Sequence, residues 1–360
     1  MDGWQNRMRD EAKATGQQLK RKNRMRARRL VCKAIRQIEW ESFEIPEVPA
    51  PHEVVVKSAC SLISAGTELA MYSGSHIGFS GPDPPQFPID MGYALAGAVQ
   101  AVGCKVTEWA EGDRVVVYAS HGDWALCDVR TTKMWRLPPD VTLEQGALAV
   151  MGGISAVGVR QGRVDLGETV IVLGLGLIGQ FAAQLSRLSG ARPVIGVDLL
   201  PNRVRIAGAS GVHALNPEQS DVRQTVDDIT GGHMAEVVIE ATGNPHVVAQ
   251  ALDLAGDGGR VVLLGSPRGT AEIDLYRAVH HKGVSLIGAH ARVSGHPHTT
   301  QDPWTRERNL DLVLQLFADG SLQSEGLISH RIQPDDVGET YEMLVERPNS
   351  FLGVLIEWTS

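Results

Sequence analysis

The chain has no long apolar run, no paired cysteines and no excess of positive charge. No stretch of the 360 residues is apolar for the roughly 20 positions that a bilayer span needs, which excludes a transmembrane anchor. The four cysteines (Cys32, Cys60, Cys104 and Cys127) are scattered and form no C-x-x-C pair. That pattern argues against a disulfide framework or a structural zinc knot and fits a reducing, cytoplasmic setting. The formal net charge is −8 even though residues 1–29 hold ten Lys or Arg against three acids. The body is therefore acidic, which disfavours a nucleic-acid role for the whole chain. The basic arm, placed at residues 1–24, has no apolar face and no interleaved aromatics. It reads as a disordered extension, or as chain upstream of a start at Met25. It is not a secretory signal, because Lys33 and Arg36 break the apolar stretch that follows Arg28-Arg29.

What remains is the composition of an ordinary globular protein, 43% hydrophobic and 21% charged, long enough for two domains. The most informative segment runs from Val170 to Asp198. The run Val170-Ile171-Val172-Leu173 leads into Gly174-Leu175-Gly176-Leu177-Ile178-Gly179, then a helix-like stretch, then a second apolar run ending in Asp198. Each part suits a dinucleotide. Gly174 permits the tight turn, Gly176 lets the backbone approach the pyrophosphate, and Gly179 lets the helix pack closely on the strand. The helix N-terminus offers free N–H groups to phosphate. Asp198 follows Gly179 at close to the spacing of about 20 residues expected for a carboxylate that holds the ribose hydroxyls. The segment predicts an NAD site.

Around it, Arg28–Lys133 reads as short strands with Gly/Pro/Asp punctuation, among them Glu53–Ala59, Ala94–Val102 and Asp113–Tyr118. Gly74–Asp90 reads as a loop. From Leu166 strands alternate with helices: strands at Thr169–Leu173, Val194–Asp198, Ala235–Glu240, Gly259–Leu264 and Val284–Gly288, and helices at Ile178–Leu188, Asn202–Ala209 and Val247–Leu254. That alternation predicts a doubly wound parallel sheet. A helix at Arg308–Ala318, a strand near Ile328–Ile332, a helix from about Asp335 and a last strand Gly353–Trp358 close the chain.

This order, with the GDRV of Gly112–Val115 and the VIEATG of Val238–Gly243, resembles the medium-chain dehydrogenase/reductase superfamily. The resemblance implies an α/β protein with a GroES-like β-rich catalytic domain (25–157 and 297–360) and a Rossmann NAD-binding domain (158–296). It also implies a homodimer or homotetramer paired through the Rossmann sheet edge. Zinc-dependent members draw metal ligands from three windows, which here read Ile63–Glu68 without Cys, Gly92-Tyr93-Ala94 without His, and the region of Ala149. Zinc needs three protein ligands from Cys, His, Asp or Glu to leave one catalytic position open. With none in place, the expectation is a zinc-independent enzyme.

Hydride transfer without a metal still needs a group to polarise a carbonyl or take a hydroxyl proton. Tyr93, at the place of the metal-binding His, is the candidate, as an acid/base of lowered pKa or as a hydrogen-bond donor; the alternative is a wall residue. Ser64, Thr67 and Glu68 are placed to bind substrate hydroxyls, although Glu68 fits a purely structural bond equally well. His121 is expected near the substrate mouth and His290 near the nicotinamide. His296 and His298 read as a solvated loop. Asp198 favours NAD over NADP, and Arg203 is positioned to stack on adenine or to sit solvated on a helix. The resemblance adds Leu177, Ile178, Thr242, Gly243, Gly265 and Ser266 to the cofactor wall, and brings Gly152-Gly153 to the nicotinamide. The expected function is oxidation of a secondary alcohol, or its reverse, on a sugar, cyclitol or polyol. The ISAGTE turn also resembles the bacteriochlorophyllide dehydrogenase branch. The alternatives are a zinc-free quinone or enone reductase and a non-catalytic NAD-binding protein.

Overall fold

The computed structural model describes residues 24–294, 298–299 and 303–358. In chain order its strands are β1 (Arg24–Ala34), β2 (Gln37–Pro46), β3 (Glu53–Ile63), β4 (Ile89–Asp90), β5 (Leu95–Val102), β6 (Arg114–Val117), β7 (Trp124–Asp128) and β8 (Met134–Arg136). They continue as β9 (Val170–Leu173), β10 (Val194–Val197), β11 (His213–Leu215), β12 (Ala235–Glu240), β13 (Ala255–Leu263), β14 (Ser285–Gly288), β15 (Ile328–Ile332) and β16 (Gly353–Glu357). Strands β9 to β14 form one sheet ordered β11-β10-β9-β12-β13-β14, and every pairing in it is parallel. Helices Leu177–Leu188, Pro201–Ala209, Val222–Thr230 and Val247–Leu254 alternate with these strands. Burial on both faces explains why β9 and β10 read as unbroken apolar runs. The strand order reverses between β9 and β12, so their carboxyl ends open onto one crevice, where such sheets bind ligands.

The β-rich half is built from two pieces of sequence. β15 and β16, from the end of the chain, join β3, β5, β6 and β8 in a second sheet, with β16 antiparallel to β3. The helix Leu143–Gln161 runs past the boundary expected at 157/158, and one apolar cluster spans it, from Leu62 and Val116 on one side to Val172 and Phe181 on the other. The two halves share a continuous core.

Three expectations need correction. Residues 1–23 lie outside the described residues, but the last part of the basic cluster is a strand: β1 pairs with β2 from Arg24 opposite Pro46. Arg24 and Arg29 of that strand meet Glu44 and Glu41 of its partner at 2.8 and 3.0 Å. Exposed pairs of this kind contribute at most about 1 kcal/mol each, so they balance charge on the hairpin rather than hold it. The Gly74–Asp90 segment is not all loop. It contains a 3-10 turn at Ile77–Ser80, and Ile89–Asp90 pairs with β1. The helix Val222–Thr230 was not read from sequence because Val222, Thr225, Val226, Ile229 and Thr230 are β-branched and lower helix propensity. Burial of Val222 and Val226, together with the Asp221 cap on the Gln224 N–H at 3.1 Å, overrides that bias.

Candidate active site

The cofactor wall is made of backbone. Gly174 takes φ 88°, and a Cβ there would lie 2.7 Å from Thr242 Cγ2. At Gly179 a Cβ would stand 1.8 Å from the Gly174 carbonyl oxygen, so only glycine lets the helix come this close to the strand end. At Gly176, which caps the helix Leu177–Leu188, an added Cβ meets nothing within 4 Å. That leaves open space above the first helical turn, at the helix end whose N–H groups can face an anion. Leu177 and Ile178 begin the helix, half-buried against the shared core. Asp198 closes β10 at 8% exposure; its carboxylate accepts the Leu175 N–H at 2.7 Å and the Leu200 N–H at 2.9 Å. These bonds fix the carboxylate beside the glycine turn. Arg203 reaches Asp198 at 3.5 Å and the Phe351 carbonyl at 3.1 Å, so its charge is engaged within the protein rather than solvated.

The neighbouring loops continue this wall. Thr242-Gly243 follows β12 and Gly265-Ser266 follows β13, and a Cβ on Gly265 would lie 2.4 Å from the Gly243 nitrogen. Glu240, fully buried, ties the first loop by accepting the Thr242 and Gly243 N–H groups at 2.6 and 3.1 Å. Burial raises its pKa above the usual carboxylate value. Gly152 and Gly153 are both buried in helix packing against the helix Arg306–Ala318: a Cβ on Gly152 would lie 2.7 Å from Val313 Cγ1, whereas one on Gly153 would make an ordinary contact with Leu310 at 3.7 Å.

The substrate wall is made of side chains. The Tyr93 hydroxyl donates to Ser64 Oγ at 2.6 Å, joining the two windows that would carry metal ligands. Burial, offset in part by Ser64, pushes the Tyr93 phenol up to about 12, which corrects the expectation of a lowered pKa. Tyr118, not singled out in the sequence, packs against the same apolar cluster as Tyr93. Its own pKa is pushed up to about 12, chiefly by burial. Arg306 lies over the Tyr118 ring at 5.7 Å. The only signal for Tyr118 in the sequence was its place at the end of the GDRVVV strand.

Glu68 and His121 are brought together, but in the interior. Their exposures are 3% and 0%. Glu68 Oε1 accepts the Ser64 N–H at 2.7 Å; Oε2 takes His121 Nε2 at 2.9 Å and the Tyr341 hydroxyl. His121 Nδ1 meets Ser61 Oγ at 2.8 Å, and Ser61 Oγ accepts the Trp358 indole N–H at 3.1 Å. Since indole only donates and a carboxylate only accepts, the order that satisfies every atom runs Trp358 to Ser61 to His121 to Glu68. Gly92, at φ 92°, makes room for this arrangement: a Cβ there would lie 2.7 Å from the His121 ring. His121 is therefore a core residue behind the turn that holds Ser64, not a residue of the substrate mouth. His290 is exposed after β14, with Nδ1 accepting the Arg292 N–H at 3.1 Å. His298 is exposed, and His296 lies outside the described residues.

The geometry accommodates a nicotinamide dinucleotide. In the windows where a catalytic zinc would draw its ligands stand Ser64, Ala65, Tyr93 and Ala149, which offer no thiolate, imidazole or carboxylate. Among the described residues, no three His, Cys, Asp or Glu are grouped so that they could hold a metal. Residues 50–147 match the alcohol dehydrogenase GroES-like domain, and residues 178–302 match the zinc-binding dehydrogenase family. The chain belongs to the zinc-type alcohol dehydrogenase-like superfamily. Within it, a D-guloside 3-dehydrogenase from Escherichia coli is 29% identical over 260 residues, 71% of this chain and 74% of the relative. An L-threonine 3-dehydrogenase from Pyrococcus abyssi is 28% identical over 336 residues, 85% of this chain and 91% of the relative. A 2R,3R-butanediol dehydrogenase from Bacillus subtilis shares the fold, with a TM-score of 0.77 at 22% identity over 92% of this chain and 99% of that one.

Proposed function

We propose that this superfamily member is a zinc-independent, NAD-dependent dehydrogenase interconverting a secondary alcohol and a ketone on a small hydroxylated substrate of sugar, cyclitol or polyol type. The relatives named as guloside and threonine dehydrogenases support the reaction class. The single observation that carries the metal-free part is the Tyr93–Ser64 hydrogen bond, which stands where metal ligands would.

Gly174, Gly176, Gly179 and Asp198 hold the dinucleotide, with the loops Thr242-Gly243 and Gly265-Ser266 beside it. Bound NAD supplies a hydride acceptor. Asp198 favours NAD because its buried carboxylate would repel a 2′-phosphate. Tyr93 keeps its proton at neutral pH, since its pKa is about 12. In the reducing direction its single O–H turns from Ser64 Oγ to the carbonyl oxygen, and the Ser64 hydroxyl then donates to the phenol oxygen; in the oxidising direction it takes a hydroxyl proton only as the pH becomes alkaline. Ser64 orients the phenol, and Glu68 fixes Ser64 through its backbone N–H. Pairing of two copies through β14 is supported by that strand's free edge and by the exposed Leu275, Tyr276 and Leu286 around it.

The test is NADH formation across sugars, sugar acids, cyclitols, polyols and simple alcohols, repeated with NADP. Turnover of one hydroxylated class with NAD is expected, and Asp198→Asn should lower the NAD-over-NADP ratio of kcat/KM by about 10–100-fold. Reduction of conjugated enones by NADPH without alcohol turnover would contradict the reading, as would tight NADH binding with no turnover at all.

A further inference from the structure

Arg268 follows β13 and crosses from the dinucleotide-binding half to the turn that carries Ser64 and Thr67. Its Nη2 donates to the Gly66 carbonyl, and Nη1 lies 3.5 Å from Ser75 Oγ. Both partners are neutral. Its Nε is buried and has no hydrogen-bond partner. The guanidinium is half-buried, and among the described residues no carboxylate pairs with it. Loss of water lowers its pKa, and no acid offsets that shift. A desolvated guanidinium normally finds a carboxylate or a phosphate.

Two histidines share this neighbourhood. His76 follows Ser75, whose Oγ lies 3.5 Å from Arg268 Nη1; burial, then the charges of Arg268 and His290, lower the His76 pKa. His76 Nδ1 accepts the Gly78 N–H at 3.0 Å, and His290 Nδ1 accepts the Arg292 N–H at 3.1 Å. Each ring is thereby left with Nε2 as its donor. His290 follows β14, the parallel neighbour of β13, so both loops leave the same edge of the sheet as the glycine turn. Three side chains thus present N–H donors with no acceptor among them.

We propose that Arg268, His76 and His290 form an oxyanion-binding subsite beside the Ser64–Thr67 turn, one that takes a phosphate or carboxylate group. A bidentate phosphate or carboxylate would satisfy the free Nε together with one Nη and use the two imidazole donors. Two sources carry this chemistry: the phosphates of the dinucleotide, or an acidic group on the substrate. The second narrows the hydroxylated class to sugar acids and sugar phosphates, and that extension rests on the dehydrogenase reading.

Inorganic phosphate, titrated calorimetrically into the full chain at low ionic strength, tests the subsite without turnover, so its failure is separate from failure of the dehydrogenase reading. Saturable binding is expected, weakened about tenfold or more in Arg268→Met and partly restored in Arg268→Lys. His290→Gln should weaken it by a smaller factor. Thermal melts check that the variants fold, and the wild-type titration stands without them. If phosphate still binds with NADH in place and Arg268→Met leaves NADH affinity unchanged, the anion belongs to the substrate. If NADH displaces phosphate and Arg268→Met weakens both alike, the subsite serves the dinucleotide. No saturable binding to the wild type, or equal binding to the wild type and Arg268→Met, overturns the proposal.

Discussion

The two walls of the cleft are built by different means. On the cofactor side the work is done by main chain and by what is left out: a positive φ at Gly174, an open space at Gly176, and a close contact at Gly179 that any Cβ would block. On the substrate side it is done by side chains held from behind. Ser64 and Tyr93 face each other at 2.6 Å, and behind them Glu68, His121, Ser61, Tyr341 and Trp358 form a buried polar network in which each donor has an acceptor. A wall made of backbone tolerates almost no change at its glycines. A wall made of side chains changes its chemistry with two or three substitutions, provided the network behind it remains satisfied.

The largest expected effect separates those two kinds of construction. His121→Ala leaves the Glu68 carboxylate buried without one of its donors and opens a cavity, a loss of about 3–5 kcal/mol in denaturant unfolding. If His121 instead acted on substrate, His121→Gln would abolish turnover while the unfolding midpoint stayed in place; the structure predicts that the midpoint falls. Tyr93→Phe is the complementary change. It should leave NADH affinity intact in a fluorescence titration and lower kcat by about 10²–10⁴-fold. Because the phenol remains protonated up to about 12, its proton-accepting form grows about tenfold per pH unit below that value. Oxidation should therefore keep climbing into the alkaline range, while reduction stays flat. A plateau in oxidation near neutrality would remove Tyr93 from the proton transfer.

On the backbone side, two glycines three residues apart should fail differently. A methyl at Gly179 meets the Gly174 carbonyl and should cost about 3 kcal/mol of folding stability, the upper end of overpacking. At Gly176 the same methyl meets no protein atom, so the melting temperature should hold while NADH binding weakens by about 1–3 kcal/mol. Equal effects at the two positions would mean that the cradle is misplaced.

The same contrast explains what the sequence revealed. Periodicity, glycine spacing and Asp198 all lie within one short segment, so the strand–turn–helix unit and its carboxylate could be located without any long-range contact. The catalytic half depends on pairs far apart in the chain: Glu68 with Tyr341, Ser61 with Trp358, Gly92 with the His121 ring. Spacing cannot show which of two histidines is walled in and which faces water, so His121 was expected at the mouth. Local pattern also missed Arg268, which becomes noticeable only when β13 ends opposite the Gly66 turn. Gly152 looks like a cofactor glycine in sequence, and the close contact that a Cβ there would make comes from Val313 in the helix Arg306–Ala318, which begins about 150 residues later.

The most direct test of the central claim is nicotinamide reduction by the protein after dialysis against a strong chelator, with the metal content measured alongside. The account predicts full activity on a hydroxylated substrate with no bound metal. Activity that vanishes with the chelator and returns on adding zinc would contradict it.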